Sequence, residues 1–208
     1  MSASGAGRVY GGVTGEERIA ERRRKLIEAG MNLFGSGDPS TVRVKDVVVE
    51  AGLTERYFYE SFSGLDVLFD AVLEAALGGI EQDVEAAVAN APSGGFSRVS
   101  AGLRTSVETL AADPRKIRII FVEALGKGGR VGANRNDILT HAAENFIRWS
   151  GDDIGDFGGS SAESRMKAFA MSGATAELLI SWAEGLLDIA PDELAEFLVG
   201  LYWRTNVR

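Results

Sequence analysis

Apolar residues recur along this chain at intervals of three and four, and no stretch alternates apolar and polar with period two. The pattern therefore predicts an all-α protein. A first helix fits 16–34, with Ile19, Leu26, Ile27, Gly30, Leu33 and Phe34 on its buried face and the basic residues largely outside. After a loop over 35–41, a short helix over 45–51 follows Val44, Val47 and Val48 on one stripe and stops at Gly52, where the backbone is free to turn. Thr54 restarts the chain, and its hydroxyl is expected to cap the amides of a second short helix over 55–61. There Phe58 and Phe62 face inward, four residues apart, while Arg56, Tyr57 and Glu60 face out. Two helices across a short Gly turn make a helix-turn-helix, whose second helix enters the DNA major groove.

Downstream, the same periodicity predicts helices over 65–88, along the stripe Phe96, Val99, Leu103, Val107 and Leu110, and from Asp113-Pro114 to about 125. Three more fit 134–149, 162–187 and 191–205, the last with Asp192 and Glu193 in its first turn. The count is nine helices and no strands. Residues 1–17 read as a flexible arm, 18–63 as the helix-turn-helix domain and 64–208 as a larger helical domain.

Composition narrows the function classes. The 208 residues are 45% hydrophobic and 25% charged, which suits a globular chain, and no apolar run has membrane-spanning length. With no Cys there are no disulfides, thiolate metal sites or Cys nucleophiles, and the expected location is cytoplasmic. The Gly-rich N-terminal residues lack the apolar centre of a signal peptide. His141 is the single His, so a Ser-His-Asp relay or a multi-His metal site has little to build on, and a partly buried core position is the plainer reading for it. The acidic loop at Asp152, Asp153 and Asp156 fails as a calcium loop, because Ile154 falls on a ligand position and Phe157 where Gly is required. No catalytic residue, metal or cofactor is expected.

The net charge of −8 looks unsuited to nucleic acid until its distribution is considered. Residues 1–66 hold 9 Lys/Arg against 10 Asp/Glu, so the deficit sits almost wholly downstream. Arg18, Arg22, Arg23, Arg24 and Lys25 cluster ahead of the helix pair, and screening beyond about 8 Å lets a locally basic surface act on an acidic body.

The segments LIEAGMNLFG at 26–35, VKDVVVEAGLTERYFYESF at 44–62 and LDVLFDAVLE at 65–74 together resemble the TetR family of transcriptional repressors. The similarity covers roughly residues 18–75. It implies an all-helical homodimer, with three helices binding a DNA operator and the remainder forming a ligand pocket and dimer interface. Carried over by position, it implies that Thr54 and Tyr59 contact phosphate and that Arg56 and Tyr57 read base edges, with Arg43 and Lys45 able to reach the backbone. The chain departs from the family pattern at Arg43, where a capping Thr is usual, and at Leu65, where a phosphate-binding Lys is common. Glu55 and Glu60 leave the recognition helix net negative, so the basic cluster and the arm around Arg8 are expected to supply phosphate affinity.

For an unidentified small-molecule effector, the candidate contacts on the fifth to eighth helices are Leu103, Arg104, Phe121, His141, Asn145, Trp149, Met166 and Phe169, with Glu123 a further polar group. Small residues beside Leu178, Leu179, Trp182 and Leu186, with Phe197, Leu201 and Tyr202, suit a dimer interface built from the last two helices. The reading is a ligand-released repressor of a palindromic operator. The alternatives are a helical binding or enzymatic protein with a vestigial helix-turn-helix, and an activator of the same fold.

Overall fold

The computed structural model describes residues 14–36, 39–123, 135–151 and 161–206. Among these residues there are nine helices and no strands: α1 Gly15–Ser36, α2 Val44–Glu50, α3 Glu55–Ser61, α4 Leu65–Asn90, α5 Gly95–Ala112, α6 Arg115–Ile117, α7 Arg135–Ser150, α8 Ala162–Ala183 and α9 Pro191–Asn206. A π-helical turn, Arg118–Glu123, extends α6. The arm around Arg8 and the acidic loop at 152–157 lie outside the described residues. No described helix is long and apolar enough to cross a membrane, and no described cluster of acidic or His side chains could hold a metal ion.

The chain divides into two compact units, Met1–Val72 and Leu73–Arg208. In the first, α1 starts on a reciprocal capping box: Glu17 accepts the Thr14 amide at 2.6 Å, and Thr14 Oγ1 accepts the Glu17 amide at 3.1 Å. The T-x-x-E spacing that announces this box is visible in the sequence and was passed over. Leu26, Ala29, Met31 and Phe34 form the buried stripe of α1, but Ile19 is 54% exposed. Ile19 keeps the helical period but precedes the part of α1 that has a neighbour to pack on. Further along, Gly30 lets α4 come so close that an added Cβ would lie 2.7 Å from Val72 Cγ2. Phe34 and Phe69 meet edge to face at 5.3 Å beside that approach.

The turn from α2 to α3 is a Schellman closure. Gly52 has φ +64, the Leu53 amide donates to the Val48 carbonyl at 2.8 Å, and the Gly52 amide donates to Val49 at 3.1 Å. The same closure ends α8 at Gly185, with φ +75 and the Leu186 amide bonded to Ser181. It stops the helix four residues before the expected end at 187.

In the second unit α5 packs on α7 and α9, and α8 packs on α7. Val99, Leu103, Val107 and Leu110 are buried as the stripe predicts, while Phe96 is part-exposed and meets the Trp203 ring edge to face at 4.5 Å. Two residues assigned to the dimer surface instead lie in this unit's interior, Leu179 and Tyr202. The Tyr202 hydroxyl donates to Ser150 Oγ at 2.6 Å, Ser150 donates to the Phe146 carbonyl, and the Tyr202 and Phe146 rings stack. Burial raises the Tyr202 phenol above its ordinary range, with the Ser150 bond and Arg98 pulling the other way.

A phenol that resists ionisation only when folded adds stability below its unfolded pKa, near 10, and that stability is lost as pH rises through the folded value. Tyr202→Phe should therefore flatten the alkaline decline in stability. It should also cost about 0.5–1.5 kcal/mol at neutral pH for the missing hydrogen bond. Urea unfolding at pH 7 and across pH 9–11.5 measures both.

Candidate DNA-facing helix and enclosed cavity

Two features of different chemistry stand out, one in each unit. The first is the outer face of α2 and α3. Phe58 and Phe62 are 0% and 2% exposed, and Val47 and Val48 are buried behind them. Arg43, Lys45, Thr54, Arg56 and Tyr59 all stay exposed, with Tyr57 half-buried among them. Thr54 occupies the N-cap of α3 in extended backbone, but its hydroxyl makes no capping bond. Only its backbone carbonyl serves the helix start, accepting from the Tyr57 and Phe58 amides at 3.0 and 3.3 Å. Arg43 is the N-cap of α2, a position where its guanidinium, having no acceptor, cannot cap the helix amides. Instead Asp46 reaches back and accepts the Arg43 amide at 2.9 Å.

The basic cluster of α1 is used differently from the expectation of free phosphate contacts. The Arg22 guanidinium lies 4.4 Å over the Tyr57 ring and 3.9 Å from Glu60. Arg23 sits 4.3 Å over Phe62 and donates to the Ser61 carbonyl at 3.0 Å. Arg24 pairs with Glu21 on its own helix, holding that carboxyl below its usual range. These arginines clamp α3 onto α1. Glu60, which made the recognition helix look acidic, also accepts Arg56 Nε at 2.9 Å. Arg56 remains 83% exposed at its side chain, and the bond uses Nε, so the Nη fork stays at the outer end.

The second feature is a cavity of about 300 Å³ in the second unit, walled by α4, α5, α7, α8 and the π-helical turn. Leu103, Phe121, His141, Asn145 and Trp149 line it. Arg104, Met166 and Phe169 do not. Arg104 points to α9, where its bond to Glu196 keeps that carboxyl below the usual range. Met166 and Phe169 lie on the outer side of α8, 66% and 45% exposed. The side chain of Glu123 lies outside what is described. His141 is no core residue: it is exposed at the cavity rim, with Nε2 3.1 Å from Glu81.

The α4 wall was missed altogether. Leu77, Ile80, Glu81, Val84 and Glu85 line the cavity at helical spacing, one face of a helix whose apolar content reads simply as core. Trp149 forms the opposite wall against Gly102, where an added Cβ would lie 2.6 Å from its ring. Arg98 donates to the Trp149 carbonyl at 2.8 Å and closes the end of α7.

An all-helical chain with a helix-turn-helix unit and a cavity-bearing helical unit is a known arrangement. A TetR-like transcriptional regulator from Rhodococcus sp. RHA1 superposes with a TM-score of 0.70 at 16% identity, over 88% of this chain and 94% of that one. The fatty acid degradation regulator FadR from Bacillus halodurans gives 0.71 at 12% identity, over 87% and 94%. A TetR-family transcriptional regulator from Streptomyces coelicolor gives 0.68 at 17%, over 88% and 79%. The chain has the TetR-like fold. No family model and no curated protein sequence matches it.

Because the Trp149 ring occupies the space over Gly102, Gly102→Ala should displace it and cost about 1–3 kcal/mol by overpacking. Guanidinium unfolding gives the cost, and a shifted tryptophan emission in the folded state reports the ring.

Proposed function

We propose that this protein is a ligand-responsive transcriptional repressor, a homodimer that binds a palindromic operator and is released when a small molecule fills the cavity. The observation that carries this reading is the division of aromatics on α3. Phe58 and Phe62 are sealed in the core, while Tyr59, Thr54 and Arg56 face solvent from a helix clamped at one angle. In this reading α3 enters the major groove, with Arg56 reading guanine and Tyr57, held by Arg22, meeting a thymine methyl or a phosphate. Thr54, Tyr59, Arg43 and Lys45 take phosphates. Two copies place their α3 helices about 34 Å apart to reach successive grooves.

The dimer forms through α8 and α9, where Trp182, Leu178 and Leu201 are part-exposed and Phe197 is 50% exposed. Apolar side chains left open on adjoining helices favour a second copy over water. Communication runs through α4. Its first residues pack on α1 through Leu68 and Val72, and its later residues line the cavity. Ligand and DNA then weaken one another by the same factor, commonly about 1–3 kcal/mol of coupling.

Arg56→Ala should cost about 1–3 kcal/mol of operator affinity and much less on random DNA. Fluorescence anisotropy on the DNA upstream of the gene and on a scrambled duplex measures the ratio, and an unchanged ratio would falsify the base-reading role.

Gly78 and Gly79 interrupt α4 between its two contact regions, although a Cβ at 78 would meet nothing within 4 Å and one at 79 only Lys116 Nζ at 3.8 Å. Packing does not require them, and each weakens the helix by about 0.5–1 kcal/mol relative to Ala. The double variant Gly78→Ala, Gly79→Ala should raise the melting temperature and change the ligand concentration that releases DNA. An unaltered release curve in a stabilised protein would remove α4 flexibility from the mechanism.

A further inference from the structure

The cavity carries its own record of what it accepts. Two buried polar atoms on its lining residues have no hydrogen-bond partner in the chain: Trp149 Nε1 and Thr175 Oγ1. Trp149 is 7% exposed, so its N–H is withdrawn from solvent as well. A buried donor left unmade is costly, and its natural complement is an acceptor from outside the chain. Asn145 adds a donor, because Arg148 occupies its carbonyl oxygen at 2.7 Å and leaves the amide N–H groups.

Charge narrows the choice. No Lys or Arg lines the cavity, whereas Glu81, Glu85 and Asp137 do. An entering carboxylate or phosphate would lose its hydration among carboxylates with no cation to replace it. An entering ammonium would find the acids already engaged. His141 holds Glu81, Arg148 holds Glu85, and Asp137 lies in the first turn of α7, where the helix dipole favours its charge. The remaining walls are apolar, with Phe146, Leu103 and Leu179 buried.

We infer that the effector is an uncharged lipophilic molecule whose principal polar group is an oxygen acceptor, a ketone, ester or ether, received by Trp149 Nε1 and Thr175 Oγ1. This deepens the ligand-release reading and rests on the cavity being the effector site.

Calorimetry on the full chain without DNA separates the classes with three probes of equal chain length: 2-nonanone, nonanoate and nonylammonium. The ketone should bind at least about tenfold more tightly than either ion. Thr175→Val, which keeps the side-chain shape, and Trp149→Phe should each weaken the ketone roughly three- to tenfold. Propylbenzene, which has no oxygen, should bind Thr175→Val as it binds the parent. Equal or tighter binding of either ion, no ketone binding, or ketone binding indifferent to Thr175→Val would overturn the assignment. A Thr175→Val loss shared by propylbenzene would also overturn it, because the residue would then be acting on cavity shape. Ketone binding in a protein that ignores DNA would sink the regulatory reading and leave this one standing. DNA binding with a preference for nonanoate would do the reverse.

Discussion

A helix of seven residues does not hold its shape in water, since nucleation is costly and two turns return too few hydrogen bonds. α3 has seven residues, and everything its outer face presents depends on something else holding it. Phe58 and Phe62 supply most of that hold, each contributing about 1.5–3 kcal/mol by burial. Arg22 and Arg23 press on Tyr57 and Phe62 from α1 and complete it. The arginines of α1 therefore act on DNA recognition through geometry: they fix the angle at which Arg56 and Tyr57 are offered. The same clamp answers the charge problem, because Glu60 is shared between Arg22 and Arg56 and presents little uncompensated negative charge.

The second unit solves an opposite problem. Interiors close to crystal-like density unless something holds the walls apart. Here Trp149 lies against the bare backbone of Gly102, its carbonyl is bound by Arg98, and the next residue, Ser150, is tied to Tyr202. Three anchors within two residues leave that wall unable to collapse inward. The cavity therefore persists with two polar atoms unsatisfied, a state that costs stability in the empty protein and is repaid by whatever occupies it.

Helix positions, the turn at Gly52 and the inward pair on α3 were legible in the sequence because each is set by neighbours three or four residues away. What failed was set by distant residues. Ile19 keeps the period of α1 without having a partner, and Leu179 and Tyr202 look like surface seam until α7 and α5 are seen to cover them. Thr54 has the identity of a cap but leaves its hydroxyl out of the helix. Periodicity tells which side of a helix is apolar, not what lies opposite, so Leu103 and Trp149 could be tied to a cavity while Met166 and Phe169, equally apolar, lie on the outside.

α4 makes the point most fully. At about 100° per residue, Leu77 lies roughly 140° around the helix from Val72. The face that meets Gly30 and the face that lines the cavity therefore point in different directions. Superposed on one helical projection, the two faces blur into a helix apolar nearly all round, which reads as undifferentiated core. Read in order along the chain they are two separate stripes, one per unit, with Gly78 and Gly79 near the change from one to the other. A helix with a single stripe could be held by one unit alone. One whose stripe changes direction is bound to both, so a ligand that shifts its second half acts on a helix whose first half is packed against α1.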